Sequence, residues 1–421
     1  MPPKTHARPT PPTLPQLLAL AAALSLGAAV SLGITRFAYG LLPRTMRADV
    51  GCSYTLAGAI NTANPLGYLL GALATPRLLR RFTPALLLVG GSLLASLLVA
   101  GSGIFNDAPS LLVQLLLAGV ASGLVFIAGG LLAARLAALA PRHMGLLLGL
   151  YYGGAGLGIT LSAVLVPEAL HVAGPAPHGR ALAWWALAAV SLLATAVLGL
   201  GWVGRRLQLL LWPPMPLANS AARAGTARLF GGQYFAPVLV GYTLFGVGYI
   251  GYTTVVVALL KEQGASPHDV TTFYALLGVS VMASSRIWAS MLDRFQGGQA
   301  LTILSALLGV ATVLPAFTAS WPLMLVSGAM FGGVFLSVVA STTALVRYNL
   351  PQNQWAAGIS AFTVVFAAGQ IIGTLAAGWI ADSPCSPPDI AARASRDRVG
   401  LQQGLIFLAF ALWLGALIAM S

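Results

Sequence analysis

Twelve long apolar stretches, almost free of carboxylates, leave this chain very few ways to fold. Of its 421 residues, 58% are hydrophobic and only 7% charged, and the mean hydropathy is +0.86. A soluble domain carries roughly a quarter charged residues, and no core is large enough to hide this much apolar surface from water. Lipid removes the difficulty, because apolar side chains can then face outward. Within lipid every backbone N–H and C=O must be bonded inside the chain, which leaves helices or a closed barrel. Runs of about 20 apolar residues without strand-like alternation select helices. The chain reads as an all-α polytopic membrane protein.

The formal charge of +13 does not point to nucleic acid. The arginines stand singly or in pairs between the spans, which is the positive-inside pattern and not a groove that tracks phosphates. No nucleic-acid partner is expected; membrane lipid is. Residues 1–15 are rich in Pro and Thr, carry Lys4 and Arg8, and read as a disordered cytoplasmic tail. The apolar run that follows is too long for a signal peptide, and Leu41-Leu42-Pro43 offers no small-residue cleavage site, so it is expected to remain as the first span.

Breaks at Pro, Gly and charge place spans at 15–43, 54–76, 84–104, 109–138, 144–168 and 181–203, then 234–260, 269–292, 300–318, 322–347, 355–381 and 401–420. The longest polar connection lies between the sets and holds Arg205, Arg206, Arg223 and Arg228. This divides the chain into a six-helix bundle over 16–203, a cytoplasmic linker over 204–233 and a second six-helix bundle over 234–421. The halves look like repeats. Gly119, Gly123 and Phe126 in span four match Gly328, Gly332 and Phe335 in span ten; Gly145 and Gly156 match Gly358 and Gly369; Gly33 matches Gly248. Parallel six-helix repeats mark secondary transporters. Lys and Arg concentrate on the face that holds the N-terminus and the central loop, so both termini are expected in the cytoplasm.

Six plus six helices around a basic central loop resemble the major facilitator superfamily over essentially the whole length. After its second helix that family carries G-x-x-x-D-[RK]-x-G-[RK]-[RK]. Here the first copy reads Gly71-Ala-Leu-Ala-Thr75-Pro76-Arg77 with Arg80-Arg81, and the second reads Ala289-Ser-Met-Leu-Asp293-Arg294-Phe-Gln-Gly297. The segment from Gly33 through Arg36, Phe37, Tyr39 and Gly40 to Pro43, followed by Ala57 to Tyr68, is similar to the YbfB/YjiJ group of bacterial members. The resemblance implies a multi-pass transporter of the bacterial inner membrane, a monomer that moves a small-molecule solute by alternating access without a cofactor. It implies gating roles for Gly71, Thr75, Arg77, Asp293 and Arg294. Drug/proton antiporter markers are weak: Gln114 stands near the place of their span-four Arg, and Gly149-Leu-Tyr-Tyr-Gly153-Gly154 lacks their Pro. In this fold the helices bearing Cys52 and Cys385 pack across the interface between halves, so both thiols are expected on one oxidising side, with pairing left open.

Among candidate transport residues Arg36 weighs most, being a cation inside a span with no acid nearby in sequence. Such a charge costs about 3 kcal/mol or more unless it is paired or faces water. Tyr39 shares its face. Asn61, Asn64, Tyr68 and Gly71 fall on one face of span two, and Tyr151, Tyr152, Tyr249, Tyr252, Thr253, Thr254 and Gln370 offer further polar atoms. Together they suggest a cavity for an anionic or carboxylate-bearing solute; an exporter of amphiphilic drugs or metabolites is the alternative. Arg135 and Arg286 lie near span ends, where snorkelling suffices. Gly145, Gly149 and Gly153 form a close-packing seam. No Asp, Glu or His falls at mid-span, which argues against a dedicated proton relay. No metal-ligand spacing, P-loop or nucleophile–base pair is legible, so neither metal nor enzymatic chemistry is expected.

Overall fold

The structure, a computed structural model, describes residues 12–37, 54–105, 107–174, 179–200, 235–381 and 390–420. These form twelve long helices and, among the described residues, no strand. The first set is α1 (Leu14–Ala28, continued by a π-helical stretch Ala29–Ile34), α2 (Tyr54–Leu78), α3 (Pro84–Gly101), α4 (Ala108–Ala138), α5 (Met144–Ala173) and α6 (Gly179–Gly199). The second is α7 (Phe235–Glu262), α8 (Pro267–Ile287), α9 (Gln299–Phe317), α10 (Trp321–Asn349), α11 (Trp355–Ala381) and α12 (Ile390–Met420). Eleven are long and apolar enough to cross a membrane within their described residues; α2 is the twelfth long helix.

Local chemistry explains many of the boundaries. Thr83 caps α3 by accepting the Leu86 N–H at 3.2 Å, with Pro84 in the first turn where no N–H is needed. Asp107 does the same for α4 through Ser110 N–H at 2.9 Å, again before a Pro, and Ser266 with Asp269 forms a capping box on α8. Pro65 and Pro76 lie inside α2, Pro167 inside α5 and Pro315 inside α9. Neighbouring helices shelter the backbone groups they free. Pro167 explains why the sequence reading ends span five too early: the helix runs through it to Ala173. Span eight differs as well. It breaks at Trp288, whose indole N–H donates to the Gly333 carbonyl at 2.7 Å, and a six-residue helix Ala289–Arg294 follows.

The two sets repeat one packing scheme. In the first, α1 packs on α5, α2 on α4, and α3 on α4 and α6; in the second, α7 packs on α11, α8 on α10, and α9 on α10 and α12. The matched glycines sit at these crossings. A Cβ on Gly123 would meet the Tyr68 carbonyl of α2 at 2.8 Å, and one on Gly332 the Leu277 carbonyl of α8 at 2.3 Å. The sets meet chiefly where α5 faces α8 and α10 and where α2 faces α11. One expectation is corrected here: Arg135 does not snorkel, because its residue is only 3% exposed within the packed α4.

Candidate functional site

Arg36 stands two residues beyond the π-helical stretch of α1, after Thr35. The stretch is held on both sides. The Thr35 hydroxyl, bonded to the Ser31 carbonyl, lies 3.1 Å from Ser122 Oγ on α4. Gly33 abuts α5 so closely that a Cβ would fall 2.6 Å from the Ala155 carbonyl oxygen. Beyond it the Arg36 guanidinium carbon lies 5.5 Å from the ring centre of Tyr68 on α2 and 5.5 Å from that of Tyr249 on α7. Both are within cation–π range, and they bridge the two sets of helices. Arg36 Nε and Nη2 are buried without a hydrogen-bond partner. These two nitrogens form one edge of the guanidinium, the parallel pair of donors that fits both oxygens of a carboxylate.

Arg36 also lines a small cavity between the two helix sets. Leu32 and Phe37 of α1, Phe126 of α4 and Ala155 of α5 line one side; Tyr249 of α7, Phe335, Leu336 and Val339 of α10 and Phe366 of α11 line the other. In this state it has room for about one water. Its depth follows from helix length, since Tyr249, Phe335 and Phe366 all stand near the middle of their helices. Aromatic rings surround it. Phe126 lies 5.8 Å from Tyr68 and 5.5 Å from Tyr152, Tyr249 lies 5.3 Å from Phe335 and 5.6 Å from Phe366, and Phe37 reaches across to Phe335 at 6.3 Å.

Of the other residues singled out in the sequence, the structure brings Tyr249 to the cavity and Tyr68 beside Arg36, and turns several away. Asn64 donates its side-chain amide to the Leu115 carbonyl of α4 at 3.4 Å, and Gly71 lies against Val120 of the same helix. Tyr252, three residues beyond Tyr249 on α7, is bonded to Ser327 at 2.7 Å and stacks on Phe331 at 3.9 Å. Tyr151 donates to the Phe126 carbonyl at 3.3 Å, and Tyr152 bridges to Thr343 of α10 at 2.6 Å. Thr253 bonds back to its own helix. Gln370 is fully buried with neither amide atom bonded, one turn beyond Phe366 on α11. Tyr39, Cys52 and Cys385, and the side chains of Asn61 and Thr254, lie outside the described residues.

The gating candidates gather at one end. Asp293 Oδ1 accepts the Gly145 backbone N–H at 2.6 Å, an otherwise unsatisfied donor at the start of α5. Tyr348 of α10 donates to the Asp293 carbonyl at 3.2 Å, and Arg347 contacts Met144 Sδ. Burial raises the Asp293 carboxyl above its ordinary range, against the opposing pull of the Gly145 N–H, His143 and Arg347. The glycine seam of α5 continues the closure: a Cβ on Gly145 would lie 2.1 Å from the Ala289 carbonyl and one on Gly149 2.8 Å from Ser285 Cα. Gly156, not Gly153, is the third tight position, since a Cβ there would lie 2.4 Å from the Gly278 carbonyl whereas Gly153 meets nothing within 3.6 Å. Thr75 forms no such latch, because its hydroxyl donates to Gly71 of its own helix. The corresponding bond between α2 and α11 comes from a residue the sequence did not flag, Ser360, which donates to the Ala72 carbonyl at 2.8 Å. Arg77 and Arg294 are exposed, the former bonded to the Leu73 carbonyl and the latter over the Phe295 ring.

Over residues 28–394 the sequence matches the family described as "Uncharacterised MFS-type transporter YbfB". No curated protein sequence matches it significantly. Among solved structures it is similar to the major facilitator superfamily transporter FucP in the outward conformation, with TM-score 0.66, 14% identity and coverage of 96% of this chain and 97% of the other. A second structure, of the E. coli fucose:proton symporter FucP, gives 0.65 at 16% identity with the same 96% and 97% coverage. A bacterial homologue of the human drug peptide transporters PepT1 and PepT2 gives 0.68 at 14%, again covering 96% and 97%. At these identities the likeness is one of fold.

Proposed function

The chain belongs to the YbfB family of major facilitator transporters, and from that membership we propose that it carries a small organic anion across a bacterial inner membrane by alternating access. The observation that carries the anion is the buried, unbonded Nε–Nη2 edge of Arg36 at the seam between the two helix sets. A buried guanidinium edge without a hydrogen-bond partner is costly, and an entering carboxylate removes that cost with two charge-assisted hydrogen bonds. In this reading the halves 16–203 and 234–421, joined by a cytoplasmic linker over 204–233, rock about the cavity. The Asp293–Gly145 end is the cytoplasmic one and is shut in this state, and the protein works as a monomer without a cofactor and without enzymatic chemistry. Among the described residues no carboxylate lines the cavity, which favours uniport, exchange, or a solute that carries its own proton.

The aromatic lining supports a second reading, an exporter of amphiphilic drugs or metabolites. Uptake of labelled organic acids and of a lipophilic cation into proteoliposomes separates the two. Arg36-dependent flux of an acid is the expected result; flux of the cation alone, indifferent to Arg36→Ala, overturns the anion reading.

A further inference from the structure

Resting on that anion reading, we infer that the solute is a monocarboxylate with an aromatic or compact apolar body and no free ammonium group. The class follows from what the wall can satisfy. Arg36 is the one cation lining the cavity among the described residues, and its free edge offers two parallel donors, enough for a single carboxylate. A second carboxylate or a phosphate dianion would be left with a buried charge and no partner. An α-ammonium group would need an anion or several carbonyls, and the lining supplies no carboxylate. A sugar fares no better, since Phe126, Phe335, Leu336, Val339 and Phe366 carry neither donor nor acceptor, and each stranded hydroxyl is penalised. For further polar contacts there remain the Tyr249 side chain in the lining and, beside the guanidinium, the Tyr68 ring, whose hydroxyl is buried and unbonded. The same five side chains suit a flat apolar body: Phe335 and Phe366 each stand within stacking range of Tyr249. Arg36 therefore sits at the polar pole of a site whose remaining surface is greasy.

Equilibrium binding to the purified full-length protein tests this with 3-phenylpropanoate, lactate, citrate, L-phenylalanine and tetraphenylphosphonium as probes. Phenylpropanoate should bind about tenfold or more tightly than lactate, citrate or phenylalanine, as burial of one ring implies. Arg36→Gln should weaken its binding about 30-fold or more. Phe335→Leu, which keeps the charge and an apolar wall, should weaken phenylpropanoate about fivefold and lactate by less. If lactate or citrate binds more tightly than phenylpropanoate and does so through Arg36, the aromatic class falls while the anion reading stands. If phenylalanine matches phenylpropanoate, the exclusion of ammonium falls. If tetraphenylphosphonium binds and no carboxylate does, both readings fall together.

Discussion

The Asp293 carboxylate and the Gly145 backbone N–H meet at 2.6 Å, tying the short helix after α8 to the first turn of α5. The bond closes one end of the interface between halves, and it joins a group that titrates to one that cannot. Burial favours the neutral form of the carboxyl more than the N–H favours its charge, so the group's affinity for a proton is raised in the closed state. The raised value means the closed state binds the proton more tightly than an opened state in which Asp293 is hydrated. Lowering pH through the range above the ordinary carboxylate value therefore favours closure, and raising it releases the latch. Asp293→Asn, neutral but still an acceptor, should hold the end shut, slow transport and flatten that pH dependence, with solute affinity little changed. Asp293→Ala, which strands the N–H, should open it. Transport rate against pH in proteoliposomes checks both; an Asn variant that keeps the wild-type rate and profile would sink the idea.

The seam glycines give a second expectation. Gly145→Ala drives a methyl into the Ala289 backbone, which cannot yield as a side-chain tip can. The closed state should lose about 1–3 kcal/mol, read as a lower melting temperature. Gly153→Ala, with its nearest neighbour 3.6 Å away, should be silent; equal losses at the two positions would contradict the seam.

Tyr152 and Thr343 share a buried hydrogen bond of 2.6 Å across the halves. Tyr152→Phe removes one partner and should weaken closure by about 1 kcal/mol. If closure limits the cycle, that appears as a slower turnover with unchanged solute affinity. A shift in affinity alone would instead mean that Tyr152 touches the solute.

For Arg36 the direction is set by geometry. Arg36→Ala removes a charge-assisted pair worth about 2–3 kcal/mol, so solute binding should weaken roughly 30- to 150-fold. Arg36→Lys keeps the charge but not the fork, raising KM while leaving some flux. Protein yield should hold, since the guanidinium edge has no partner to lose. Normal transport by folded Arg36→Ala would remove the case for an anion.

Most helices were legible in the sequence to within a few residues because lipid length and proline positions dictate them; α12 is the exception, beginning at Ile390 where the span was expected from 401. Arg36 was legible because one charge in an apolar run has few excuses. Helix rotation was not. Asn64 and Gly71 share the face that a polar cavity would need, yet that face meets α4. In water an apolar stripe would have shown which side turns inward; in lipid both sides are apolar, so the stripe carries no such signal. Ser360 was overlooked because a lone hydroxyl in a helix normally bonds to its own backbone.

The π-helical stretch at Ala29–Ile34 has a consequence for how the site is aimed. Such a stretch accommodates one residue more per turn than the regular helix around it, and each residue of an α-helix advances the chain by about 100°. Rewinding it to regular geometry would swing everything beyond it through roughly that angle, with the buried first half of α1 left in place. Arg36 would then sweep from between Tyr68 and Tyr249 towards a different wall. The orientation of the Arg36 edge is thus a phase, stored in the winding of a single turn and open to adjustment without tilting any helix.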